Sequence, residues 1–432
     1  MQVLCLQAVE ELSAAEIIKK INKKKLFALS TPIALKEKSK IELSGNKCKL
    51  LRQYSRQELT CRRGSSISLW LETGVCIVND NVIQQRDIYL YYDDKALEGA
   101  KKVVADLVAN LPLVLVEPDI EARIQQLQGC FYPENTFCYQ EGTVWGAVWA
   151  HFGWLIYVVN AAWLKYLRNP ADRRLLRQLR VRLRWLRSLL SFFRPVFKQD
   201  SCKAWQLKLR SSGVELGDMR ELDVMLLSLE NLALATADSA ESKAKPGCLH
   251  MYFAKHRENK LNNLTKNITL GQKTLELATF VIWLQTQPLL PAYTQGDFRQ
   301  IVLKRLKKWN TKLLATTSNK DVLYDMKEAH SVRIRIKKMR YVLLSLVEFG
   351  HGNGKITRQL KQLQDLLGIM HDDYTNGLFV RKLKGASKHQ REEVLLFSGW
   401  ESAKVESSQA LLEATWGDFN EELSAWEKSL TK

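Results

Sequence analysis
The tightest constraint on this chain is a segment that occurs twice. Residues Arg173 to Phe193 read RRLLRQLRVRLRWLRSLLSFF. At about 100° per residue in an α-helix, Arg173, Arg177, Arg180, Arg184 and Arg187 fall within an arc of roughly 80°. Leu176, Leu179, Leu183, Leu186 and Leu190 form the apolar stripe beside it, the face that a packed helix buries. Arg182 points elsewhere. A solvated helix face usually alternates both signs of charge at helical spacing, yet no acid stands between Arg173 and Arg194. Asn169-Pro170 reads as the start of this helix and Pro195 as its stop. From His330 to Phe349 the chain reads HSVRIRIKKMRYVLLSLVEF. Arg177, Arg180, Arg184 and Arg187 correspond without a gap to His330, Arg333, Lys337 and Arg340, and Val181, Leu183 and Leu186 to Ile334, Ile336 and Met339. After nearly the same interval LGDMRELDV, from Leu216, is matched by LGIMHDDY, from Leu367. Two matched elements in the same order mark an internal duplication.

The charge follows the repeat. Lys165 to Arg210 holds fourteen Lys and Arg against two acids, +12, and Lys304 to Arg340 holds twelve against three, +9. The whole chain carries +19, so everything else is left at −2. A field concentrated in this way selects a polyanionic partner. At 432 residues the chain holds two or three domains with sizeable cores.

From about residue 145 onward the duplicated pattern resembles the CHAD domain, the conserved histidine α-helical domain, which carries a helix of H-x-x-R-x-x-x-[RK]-[RK]-x-R type in each of two repeats. The resemblance implies two pseudo-symmetric helical bundles facing each other across a basic cleft that binds inorganic polyphosphate. Carried onto this sequence, the binding residues are Arg173, Arg177, Arg180, Arg184, Arg187, His330, Arg333, Lys337, Lys338 and Arg340. The first repeat departs from the pattern: Arg177 stands where the family has its histidine and Trp185 where it has a second base. His330 and Lys338 keep those positions in the second.

The front of the chain has another character. Residues 11–25 pattern as a helix ending in Lys23, Lys24 and Lys25. Residues 48–92 alternate as antiparallel strands, with turn signals at Gly64-Ser65, Thr73-Gly74 and Asn79-Asp80-Asn81. A helix, LEGAKKVVADLVANL, follows, and Leu111-Pro112 closes the region. Residues 30–128 resemble the carboxy-terminal half of a CYTH domain, the triphosphate tunnel metalloenzyme fold, which precedes a CHAD-like domain in bacterial inorganic triphosphatases. That family opens on an E-x-E-x-K strand supplying metal ligands and a catalytic lysine. Nothing of that form is read here, and the chain is expected to begin after it. Where the family places alternating metal-binding glutamates, this chain has Asp87, Ile88, Tyr89, Leu90 and Tyr91. The acid of the preceding strand is matched by Ser68, with Glu72 further along. A magnesium or manganese site needs several hard oxygen ligands converging on one face, and phenols are poor substitutes. The front is therefore expected to be catalytically inactive, with no cofactor; Mg or Mn enters only under the alternative of a metal-dependent inorganic triphosphatase.

The expected fold class is α+β. A small antiparallel, partly CYTH-like domain covers 1–128, a linker with Gly129, Pro133 and Gly142 covers 129–143, and a mostly helical CHAD domain covers 144–432, with repeats at about 144–268 and 269–432. Val144 to Leu164 has no charged residue over a length that can cross a bilayer. Its His151, Asn160, Gly146 and Gly153, and the family's buried first bundle helix, favour a core position for it and for Trp145, Trp149 and Trp163. Helices are expected from Glu221, near 249–266 and 272–287, and across the basic run Lys304, Arg305, Lys307 and Lys308, which is expected to lend charge to the cleft. Ser239 to Gly247 reads as a polar loop and Gly350 to Gly354 as a turn, since no Lys-Ser/Thr follows as in a phosphate loop. His371 beside Asp372 and Asp373 reads as a pairing residue of the repeat in preference to a metal ligand. Eight scattered cysteines without C-x-x-C spacing, Cys5, Cys48, Cys61 and Cys76 among them, read as small apolar residues. The acidic amino-terminal segment lacks a signal-peptide pattern, so a cytoplasmic location is expected. The partner is expected to be inorganic polyphosphate or another linear polyanion, with possible association to storage granules. Nucleic acid is the rival, disfavoured because the stripes lack interleaved stacking aromatics.

Overall fold
The structure, a computed structural model, describes residues 2–22, 27–43, 46–61, 66–78, 81–127, 143–236, 247–286, 288–294, 296–346, 354–383 and 388–430. An antiparallel sheet region comes first and a mostly helical region follows. Packing divides the chain into two compact units. The first comprises Met1–Arg182, Val196–Ser201 and Thr265–Gln295; the second comprises Leu183–Pro195, Cys202–Leu264 and Gly296–Lys432.

In the first unit the order is β1 (Gln2–Ala8), α1 (Ala14–Ile21), β2 (Phe27–Leu29), β3 (Ile33–Leu43), β4 (Asn46–Cys61), β5 (Ile67–Val78), β6 (Asn81–Tyr92), α2 (Leu97–Asn110), β7 (Leu113–Val116), α3 (Ile120–Leu127), α4 (Val144–Arg168) and the first part of α5 (Arg173–Phe193). The strands make one seven-stranded antiparallel sheet in the order β2-β4-β5-β6-β1-β7, with β3 also paired to β4. Strand alternation separates its faces: Leu69, Leu71, Ile88 and Leu90 are buried in the core, whereas Arg52, Tyr54, Arg56, Glu72 and Asp87 share the polar face.

One strand went unread and two expectations are corrected here. The unread strand is β1, which pairs with both β6 and β7; the residues on the face of Cys5 are Val3, Cys5 and Gln7, so no carboxylate lies on that face of the strand. Thr73-Gly74 is no turn but the middle of β5. A Cβ at Gly74 would stand 2.2 Å from the Gln53 carbonyl oxygen, so glycine there permits close approach of β4. Leu111-Pro112 does not end the region, because β7 follows at once. The lysine run at 23–25, the turns at 64–65 and 79–80, and the linker apart from Thr143 lie outside the described residues.

Helix α4 is a core helix of this unit. Its length and composition suit a membrane span, yet 78% of the relevant window is buried inside the protein. Asn160, fully buried, accepts the Leu115 N–H (2.6 Å) and donates to Thr274 Oγ1 (3.2 Å) on α9 (Leu270–Gln285), whose hydroxyl donates to the Leu113 carbonyl (2.9 Å). Two helix side chains thus satisfy the free backbone edge of β7, the requirement any buried strand edge imposes.

The second unit holds the remainder of α5, then all but the first residues of α6 (Gln199–Glu215), α7 (Gly217–Ala235), all but the last residues of α8 (Cys248–Asn267), α10 (Phe298–Thr317), α11 (Met326–Leu346), α12 (Gly354–Arg381) and α13 (Lys388–Ser429). One core cluster joins Leu222, Met225, Leu226 and Leu229 of α7 to Leu249 and Phe253 of α8, Val380 of α12 and Phe397 of α13. Asn310 of α10 donates to the Leu423 carbonyl of α13 (3.0 Å), and the Trp416 indole to that of Thr317 (2.9 Å). Residues 239–246 of the expected polar loop and 350–353 of the expected turn lie outside the described residues.

Candidate functional site
The repeat read in the sequence recurs as structure. Helices α5 and α11 are both 21 residues long and start 153 positions apart. Their caps keep the same offset: Asp172 accepts the Arg174 N–H (2.7 Å), and Asp325 accepts those of Lys327 (2.8 Å) and Glu328 (3.1 Å). This corrects the start expected at Asn169-Pro170. Asn169 instead closes α4, its N–H donating to the Lys165 and Tyr166 carbonyls, and an aspartate accepts the first free N–H groups of α5, as carboxylates at N-caps do. All five stripe leucines of α5 are 2% exposed or less, so the arginine stripe is held at the rim of a packed face.

Along that stripe Arg177 is exposed, while Arg173, Arg180, Arg184 and Arg187 are half-buried. On α11 His330, Arg333, Lys337 and Arg340 are half-buried and Lys338 keeps an open flank. Within the second unit the latter part of α5 meets α11 through an aromatic contact. The Trp185 ring stacks on Tyr341, centroids 6.3 Å apart, and its N–H donates to Ser345 Oγ. Arg340 lies over the Tyr341 ring at 4.9 Å and donates from Nε to Gln364 Oε1 (2.9 Å) on α12.

The cations brought together there act on one another. Partial burial, then the charges of Arg210 and Arg184, lower the Arg187 guanidinium from its ordinary range. Loss of water to the surrounding protein, then Arg187 and Arg335, lowers the Lys338 ammonium. Arg333 is lowered by burial and by Arg184 and Arg220 against the opposing pull of Asp372, to which its Nη2 donates (3.1 Å). Nε of Arg184 and of Arg333 is buried without a hydrogen-bond partner. Among these groups only Asp372 contributes a countercharge, so like-charge crowding prevails.

Beside it, Nδ1 of His330 and Nδ1 of His371 stand 3.2 Å apart, one ring donating to the other. Burial foremost and then Arg333 hold both imidazoles below their usual range, His371 at about 4. Arg210 and Arg220 escaped the sequence reading. Arg220 had a signal, since it occupies the place of His371 in the second repeated motif; Arg210 had none. Arg305, expected to add charge, instead donates to the carbonyls of Phe192 (2.8 Å) and Ser191 (3.5 Å) at the end of α5.

No three His, Cys, Asp or Glu side chains gather as a metal site among the described residues. At His371 the adjoining acid already serves Arg333, and surrounding cations oppose a metal ion. In the first unit Glu72 and Asp87 sit opposite each other on β5 and β6. Glu72 accepts from Arg52 (2.9 Å), Arg56 (2.7 Å) and Gln85 (2.9 Å), and Asp87 accepts both contacts of Arg123 Nη1 (2.9 Å). Carboxylates occupied by guanidinium groups leave no open oxygen face for a hard divalent ion. Ser68, on the same face of β5, adds no charge.

Compared with known families, residues 158–381 match the CHAD domain, just over half of the chain. The solved CHAD domain from the plant Ricinus communis is similar at 25% identity, with 66% of this chain and 92% of that one covered and a TM-score of 0.49. PptA from Streptomyces chartreusis is similar at 15% identity, covering 62% and 98%, with a TM-score of 0.46. No curated protein matches the chain.

Proposed function
Because this chain belongs to the CHAD domain family, we propose that it binds inorganic polyphosphate, or another linear polyanion, along the arginine and lysine stripes of α5 and α11. The observation that carries this reading is the crowding of cations from different helices: beyond partial burial, Arg187 on α5 lowers Lys338 on α11 and is itself lowered by Arg210 and Arg184, with no acid among the charges that act on either. Like charges held close and partly desolvated raise the free energy of the unbound protein, and a chain of phosphates offsets the repulsion. Guanidinium groups take phosphate oxygens two at a time and ammonium groups add point charge. The binding residues of this proposal are Arg173, Arg177, Arg180, Arg184, Arg187, His330, Arg333, Lys337, Lys338 and Arg340.

The front sheet over residues 1–128 is, on this reading, an inactive CYTH-like remnant. Residues 129–143 are a linker and 144–432 the binding domain, its repeats dividing near 268. A cytoplasmic setting, with attachment to polyphosphate granules, follows from the choice of ligand. The test is titration of the purified protein with polyphosphates of graded length, with and without Mg²⁺, at rising salt. Affinity is expected to grow with chain length and to fall steeply with salt, by the counterion argument established for nucleic acids. Binding indifferent to salt, or RNA displacing long-chain polyphosphate, overturns the proposal.

A further inference from the structure
The two repeats are related by offsets of 153 positions between α5 and α11 and 151 between the motifs that follow. Arg187 therefore corresponds to Arg340, and Gly213 on α6 to Gln364 on α12. The correspondence exposes a difference. Arg340 is gripped by the protein: its Nε donates to Gln364 Oε1 (2.9 Å) and its guanidinium covers Tyr341. Arg187 meets a glycine in the same place. A Cβ at Gly213 would come within 3.2 Å of Arg187 Nη1, so the guanidinium rests against the α-carbon, where this repeat offers no amide to hold it. The charges acting on Arg187 are those of Arg210 and Arg184, and Lys338 feels Arg187 and Arg335 in turn. Three helices, α5, α6 and α11, thus bring Arg184, Arg187, Arg210 and Lys338 within electrostatic reach of one another, with Arg187 seated against Gly213 of α6. Nε of Arg184 is buried without a hydrogen-bond partner.

We propose that this cluster is the principal phosphate seat of the chain and that Arg340 is mainly a structural counterpart. The exchange of Gly213 for Gln364 is what makes the two ends unequal. The proposal rests on the polyanion reading above and adds to it a position, the participation of Arg210, and a polarity. The guanidinium with unoccupied donors takes phosphate oxygens in a two-pronged contact, whereas the one already committed to an amide and a ring gains less. The ligand class is a phosphoanhydride chain or another multiply charged oxyanion, engaged first at the Arg187 end.

Equilibrium binding of long-chain polyphosphate to the full-length protein, with thermal melts of each variant, tests this. Arg187→Gln and Arg210→Gln are each expected to weaken binding about tenfold, the scale of a charge-assisted hydrogen bond. Arg340→Gln is expected to weaken it only about twofold while lowering the melting temperature. Gly213→Gln, which grafts the grip of the second repeat onto the first, is expected to weaken binding without loss of stability, since glutamine is the better helix former. Equal losses for Arg187→Gln and Arg340→Gln, or unaltered binding by Gly213→Gln, overturn this proposal while wild-type binding upholds the reading beneath it. Wild-type protein that does not bind polyphosphate overturns both.

Discussion
The indole of Trp185 stacks on the phenol ring of Tyr341, their planes 22° apart, at the position where the second repeat carries Lys338. The first repeat has no base there and holds an aromatic contact between its basic helix and that of the second repeat. An aromatic pair adds to the stabilisation its buried area provides. Trp185→Ala is accordingly expected to cost about 2 kcal/mol, read as a shift in the denaturant midpoint. Trp185→Lys, which restores the base of the other repeat, is expected to lower stability as much. Denaturation curves superimposable on wild type for both variants would rule out this role.

The His330–His371 pair links binding to protons. Both imidazoles are held below the usual histidine range by burial first, then by Arg333, with Lys337 adding and Asp372 opposing; His371 lies at about 4. Both are thus largely neutral in the free protein near neutral pH. A polyanion stabilises the imidazolium, so binding takes up protons, and affinity should rise as pH falls below about 6.5. The fold responds in the opposite sense. The unfolded chain takes up these protons at the ordinary histidine value, so the stability present above that value is lost as pH falls toward the folded one. Polyphosphate affinity measured across this range should flatten in a His330→Gln/His371→Gln variant, and an undiminished slope there would dismiss the linkage.

Asp372 restrains the site. Its carboxylate accepts from Arg333 at 3.1 Å and is the one acid among the charges acting on that guanidinium. Asp372→Asn leaves a neutral acceptor of the same shape and adds one unit of positive charge. Affinity at low salt should increase roughly twofold to fivefold, the range of a partly exposed ion pair. Weaker binding would mean that Asp372 serves chiefly to orient Arg333 for its ligand.

Legibility followed periodicity. The arginine and leucine stripes of α5 are a helical pattern sustained over 21 residues, and two copies of it fixed the site's main helices. The strand β1, QVLCLQA, offers only a short apolar run, which periodicity cannot assign, and β7, four residues long, offers still less. Gly74 reads as a turn because local sequence cannot tell a positive φ from a close approach of β4. Arg210 was invisible for a different reason: it lies on α6, outside both repeated motifs, and only packing brings it to Arg187. Arg305 failed in the reverse direction, its charge being legible and its attachment to the end of α5 not.

The pairing of Asp87 with Arg123 separates the fold of the first unit from any chemistry assigned to it. Asp87 is fully buried and Arg123 nearly so, both oxygens of the acid facing Nη1 at 2.9 Å. Removing one member of such a pair strands the other charge in a poorly solvating interior. Asp87→Asn should therefore destabilise the protein by ~3 kcal/mol or more. If this acid instead belonged to a metal-dependent phosphohydrolase, wild-type protein would release phosphate from tripolyphosphate with Mg²⁺ or Mn²⁺, and Asp87→Asn would abolish the release. The expected result is no release above buffer from either protein, together with polyphosphate binding by folded Asp87→Asn equal to wild type. Metal-dependent release that vanishes in the variant would favour the metal-dependent phosphohydrolase alternative instead.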